Sequence, residues 1–164
     1  MVCILQLSIF TMEHNSEIIS DLKGLVNILN DGKEGYKSAS ETTDDQDLKG
    51  LFLEFAVQRG LYADELKAHL TEHGGDSENE SGGVLGALHR TWIDIKQALS
   101  SKEDTAILGA IETGEEAAIE KFEAAINDPA THADHINLLQ RQVTGIREAL
   151  SQIRGYRERL KIIE

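Results

Sequence analysis

Cysteine, proline and aromatic residues are all scarce in this chain, and each shortage removes a class of structure. A single cysteine, Cys3, has no partner within the chain, so an internal disulfide is excluded and a reducing compartment fits. One proline, Pro129, and 5% aromatics leave little to interrupt long regular elements. Runs of β-branched residues alternating with period two are missing, and long 3.6-period patterns take their place. The class expected is all-α. Basic charge is in deficit as well: 16 Lys and Arg face 29 Asp and Glu, a net charge of −13. Such an excess repels phosphate backbones and anionic lipid, which argues against nucleic acid or membrane as partner. No nucleophile motif, phosphate-binding glycine loop or paired-cysteine site is present. A non-catalytic protein without cofactor is therefore expected, with iron or zinc as the alternative.

At 164 residues the chain is long enough for one domain with its own core. The opening "MVCILQLSIFTM" is apolar, yet it lacks the basic start and small-residue cleavage site of a signal peptide. It is too short to span a bilayer. Residues 1–14 are expected to be a disordered or mis-started tail, with Met12 as the natural beginning. Residues 15–162 are expected to form a single domain in the cytoplasm.

Apolar stripes divide that domain into four long helices and a short one. The first runs from about Ser16 to Glu41, with Ile18, Leu22, Leu25, Leu29 and Tyr36 on one face. "TTDDQD" breaks it and offers aspartate caps to a second helix, Asp45 to His73, which Gly74 and Gly75 end. A polar, glycine-rich loop leads to a short amphipathic helix, Val84 to Leu99. Ser101 and Asp104 form a capping-box pattern for the third long helix, ending near Asn127. A fourth then runs to about Leu160, with Pro129 in its first turn. Short joins between the first and second, and between the third and fourth, make antiparallel neighbours. The short helix covers roughly 25 Å of the crossover between them. The expected fold is a ferritin-like up-down-down-up four-helix bundle with a short amphipathic helix in the crossover.

The segment "AIETGEEAAIEKFEAAI" carries five glutamates on one helix. Leu108, Ile111, Glu115, Ala118, Phe122 and Ala125 recur at alternating steps of three and four, the inward seam of a bundle helix. Glu115 lies at the centre of that seam and Glu112 at its edge. Glu116, Glu120 and Glu123 face water. A buried carboxylate needs a partner. At the same depth along the bundle, about 17–21 Å from one end, stand Arg59, Tyr62 and Gln142. Ferritin-like di-iron sites draw glutamates and Glu-x-x-His pairs from all four helices. One central carboxylate cannot reproduce that set. The expectation is a polar core layer in which Arg59 neutralises Glu115 while Tyr62 and Gln142 complete the hydrogen bonds. A degenerate metal site around Glu112 and Glu115 is the alternative.

"LNDGKEGYKSASE", "VQRGLYADEL", "GALHRTWIDIKQAL", "ILGAIETGEEAAIEKFEAAI" and "QVTGIREALSQIR" occur in that order. Together they resemble a bacterial family of uncharacterised ferritin-like four-helix-bundle proteins, a domain of unknown function, from about Asn15 to Leu160. The resemblance implies the bundle fold and a bacterial, cytoplasmic, stress-related setting, and no established activity. Asp31 and Gly32, Gln58 and Arg59, His89 and Arg90, and Gly114 and Glu115 match the paired residues of that family. Near Leu150, relatives often carry a histidine that this chain lacks, which lowers a metal role further.

Four of the six histidines fall in two pairs. His69 and His73 are four apart at the end of the second helix, and His132 and His135 three apart at the start of the last. In the expected topology these ends share one pole of the bundle, near His14, where imidazoles can bind Zn²⁺ or Ni²⁺. His89 and Arg90, beside Trp92, are expected to fix the crossover helix to the bundle. Ile162 and Ile163 are free for a partner. A homo-oligomer, a dimer, is expected, with the crossover helix as an alternative surface for an unknown protein partner.

Overall fold

Five α-helices follow one another along the chain in a computed structural model, which describes residues 2–75 and 85–163, with side chains for 15–75 and 93–163. They are α1 (Val2–Thr42), α2 (Gln46–Glu72), α3 (Leu85–Ser101), α4 (Asp104–Asn127) and α5 (Ala133–Ile163). No strand occurs among the described residues. None of the described helices is long and apolar enough to cross a membrane.

The boundaries follow local chemistry. Asp45 caps α2, its carboxylate accepting from Asp47 N and Leu48 N, both at 2.9 Å. At the other end Gly74 turns left-handed, φ 80°, so that Gly75 N–H reaches Leu70 O at 2.8 Å and Gly74 N–H reaches Thr71 O at 3.2 Å. These crossed bonds satisfy carbonyls that the helix leaves open, and only glycine adopts that φ cheaply.

Three expectations change. α1 begins at Val2, so the segment expected to be a separate tail continues the helix. No proline or glycine stands before Gly24 to stop it. Ser101 does not cap α4. It ends α3, its hydroxyl donating to Ala98 O at 2.6 Å, and Lys102 at φ 55° turns the chain so that Glu103 takes the cap position without a side-chain bond. Pro129 lies outside α5, in the turn after α4. There Asp128 O accepts from Thr131 N at 3.0 Å and Asp128 Oδ1 from Ala130 N at 2.8 Å. Proline suits the second position of such a turn. The glycine-rich loop lies mainly outside the described residues.

Each long helix packs on two others: α1 on α2 and α4, and α5 on α4 and α2, while α3 lies across α4 and α1. Contacts fix the register. On α1 and α2, Ile19 meets Gly75, Gly32 meets Arg59, and Tyr36 meets Phe52 and Phe55, so the two helices run in opposite senses. On α4 and α5, Glu123 pairs with Arg147, Glu116 with Arg154, and Glu112 with Arg154 and Arg157, again opposed.

The interior has two apolar clusters stacked along the bundle. One gathers Leu22, Leu29, Leu66, Leu70, Phe122, Leu139 and Ile146, with their neighbours. The other gathers Tyr36, Leu48, Phe52, Phe55, Ile107, Leu108 and Ile153. On α2 the break between them falls between Ala56 and Ala63, and on α4 between Ile111 and Ala118. Outside, Leu53, Val57 and Leu61 form an exposed apolar stripe along α2 at intervals of one turn.

Close approach explains one helical glycine. A Cβ on Gly145 would stand 2.0 Å from the Tyr62 hydroxyl oxygen and 3.0 Å from Cζ. Gly145→Ala is expected to displace that ring and lower stability by about 1–3 kcal/mol, several degrees in Tm. Combining it with Tyr62→Phe, which removes the nearest atom, should recover part of the loss; equal melting of the single and double variants would contradict the contact.

Arginines clamp α5 to α4. Glu112 accepts from Arg154 Nε at 2.8 Å and Arg157 Nη1 at 2.9 Å. The Arg154 bond above all holds its carboxyl below the usual 4.5, with Arg157 adding to it and partial burial opposing. A depressed folded-state pKa contributes stability that is full above the unfolded value and is lost as pH falls below 4.5. Glu112→Gln is expected to lower Tm by a few degrees at pH 7 and to converge with the unaltered protein in acid; a gap independent of pH would contradict the clamp.

Candidate functional site

Where the two apolar clusters part, polar groups meet. Arg59 on α2 is 2% exposed and Glu115 on α4 is 5% exposed, and Arg59 Nη2 donates to Glu115 Oε2 at 2.6 Å. The seam of α4 turns Glu115 inward, between Ile111 and Ala118. α2 presents Arg59 between the turns of Phe55 and Ala63. Arg59 runs past Gly32 on α1, where an added Cβ would sit in ordinary contact, 3.6 Å from Arg59 Cγ and Cδ. Arg59 Nη1 also donates to Gln58 Oε1 at 2.5 Å, and its guanidinium carbon lies 5.7 Å from the Tyr36 ring centre. Burial, and then the charge of Glu115, push the Tyr36 phenol well above 10, so it stays neutral. Its hydroxyl is enclosed and has no hydrogen-bond partner among the described residues.

A cavity of about 50 Å³ opens at the same level, bordered by Gly32, Tyr36, Arg59, Gly114 and Glu115, with Ile95 contributed by α3. A water needs on the order of 10–15 Å³, so this space is large enough for one. Asp31 also borders it, its carboxyl raised above the usual range by burial.

Tyr62 and Gln142, expected in this layer, belong to another. Gln142 donates to Tyr62 O at 3.1 Å and to Glu65 Oε2 at 3.0 Å, and Glu65 is held in addition by Arg141 at 2.6 Å. Among the described residues neither hydrogen-bonds to Arg59 or Glu115. Depth along the axis was similar; the direction around it was not, since both face the α2–α5 seam while Glu115 faces α1 and α2. The groups beside the ion pair are Gln58 and Tyr36. Both stand in the segments that carry the family resemblance, but Tyr36 reads in the sequence as one more apolar position. Glu112, a candidate metal ligand, is occupied by two arginines.

The histidines come together at the pole where α2 ends and α5 begins. His69, His73 and His135 each bring a ring nitrogen within 4.8 Å of the others. The three ring centres are 4.5, 4.9 and 4.7 Å apart. His69 Nε2 and His135 Nδ1 lie 2.6 Å apart, one donating and the other accepting. His135 is 3% exposed. Burial first, then the imidazoles of His69 and His73, push it down to about 4, so it is neutral at pH 7. Burial and His73 lower His69 too, while Glu72, Asp134 and Glu65 oppose. His132 stands apart, its ring 6.0 Å from that of His135 and outside the group of three. The side chains of His14, His89, Arg90 and Trp92 lie outside the described residues.

No curated protein matches the chain. A family model described as a domain of unknown function, DUF2383, matches residues 17–128, from within α1 to just past the end of α4. That match spans more than half of the sequence, and the chain belongs to the DUF2383 family.

Proposed function

We propose that this protein is a non-catalytic bundle of the ferritin-like type, its four long helices arranged up-down-down-up, in which an ion-paired layer stands where di-iron relatives of that frame keep their metal. The observation that carries the reading is the Arg59–Glu115 bond at 2.6 Å, buried midway between the two apolar clusters. Arg59 brings a fixed positive charge to the level where a di-iron site gathers carboxylates, and it engages the one glutamate that faces inward there. The layer's role is to align helices, and a cytoplasmic setting, suggested by the lone Cys3 and the acidic balance, is part of the proposal.

A dimer is the second part. Leu53, Val57 and Leu61 are 47%, 63% and 63% exposed. Their spacing is symmetric about Val57, so a two-fold axis through that residue lays Leu53 of one copy on Leu61 of the other. Val57→Asp is expected to convert the dimer to a monomer in light scattering; an unchanged mass would exclude that face.

Arg59→Met, alone, leaves a buried carboxylate without its cation and is expected to cost about 3–5 kcal/mol. Joining it to Glu115→Leu removes both charges and should restore most of the stability. Anaerobic Fe²⁺ loading of the untagged protein should leave the centre without stoichiometric iron. Bound iron that disappears in Glu115→Ala would overturn the reading and return the protein to the redox-active class.

A further inference from the structure

The pole of the bundle offers chemistry that an aligning scaffold does not require. Three imidazoles converge there from two helices: His69 and His73, one turn apart on the same face of α2, and His135 from the first turn of α5. Apolar packing does not explain the choice. A leucine or phenylalanine at His135 fills the same space without leaving ring nitrogens to satisfy. The geometry points to a mononuclear site at His69, His73 and His135 for a divalent late first-row transition metal, of which zinc is the natural probe.

Ligand type sets the metal class. Imidazole nitrogen suits Zn²⁺, Cu²⁺ and Ni²⁺, while Mg²⁺ and Ca²⁺ require oxygen. Tetrahedral zinc with bonds of about 2.0–2.1 Å places its nitrogens roughly 3.3 Å apart. The 2.6 Å contact between His69 and His135 must therefore open slightly, and the wider pairs, at most 4.8 Å, must close. His73 makes this feasible, because it is exposed at the C-cap of α2 and swings without disturbing the core. Three ligands leave a fourth position to solvent.

Charge around the site favours a cation. Glu65, Glu72 and Asp134 act on His69, and Asp134 acts on His135 as well. His73 occupies the C-cap of α2, where the helix presents its negative end. The positive end of α5 works against the cation, and Arg141 is already engaged with Glu65.

The test uses the full chain without a polyhistidine tag, titrated with Zn²⁺ in a calorimeter, with elemental analysis after dialysis. One zinc per chain is expected, together with a rise in Tm. His73→Gln, at an exposed position, keeps the fold and is expected to weaken binding at least tenfold. His132→Gln is expected to bind as the unaltered protein does. Co²⁺ in place of zinc should give the visible spectrum of a tetrahedral nitrogen site, lost in His73→Gln. Absence of stoichiometric metal, equal binding by His73→Gln, or loss in His132→Gln alone would overturn the assignment. None of these results depends on Arg59 or Glu115, so the pole and the central layer fail or stand separately.

Discussion

A guanidinium and a carboxylate buried together impose a constraint that the surrounding helices must obey. Each ion alone costs several kcal/mol to bring out of water, and only close pairing with further hydrogen bonds offsets that cost. Arg59 and Glu115 therefore have one acceptable relative position. A slide of α4 by one turn along α2 sets Glu115 against Phe55 or Ala63 and strands both charges. Apolar residues tolerate such slips, since one leucine replaces another at little cost. The ion pair does not, and it converts a greasy, permissive seam into one with a single register.

The glycines and the small cavity follow from the same constraint. A long side chain laid across the core passes beside α1 at Gly32, where a Cβ would still sit in ordinary contact. Tyr36 closes the layer as a neutral ring whose face lies 5.7 Å from the guanidinium carbon. Gly145 is the tighter case, since a Cβ there would overlap the Tyr62 hydroxyl.

Periodicity made much of this legible. The stripes of α1, α2 and α4 follow the seams read from spacing, and Asp45 and Gly74 end their elements through chemistry visible in the chain. Glu115 was readable as inward because apolar residues flank it by single turns. Azimuth was not readable. Tyr62 and Gln142 share its depth but turn toward α5, and helical counting from distant caps accumulates error faster than it resolves direction. The start of α5 decided the histidines. With Pro129 in a turn and the helix beginning at Ala133, His135 falls inside the bundle and His132 before it. Sequence spacing alone treated the two alike.

Two apolar clusters on either side of a charged layer also divide the molecule into halves with separate cores. One half lies beside the join of α4 to α5, with Leu70, Ala125 and Leu138; the other lies beside the join of α1 to α2, with Ala39, Leu48 and Phe52. The ion pair and the cavity beside it mark the level at which the two cores part.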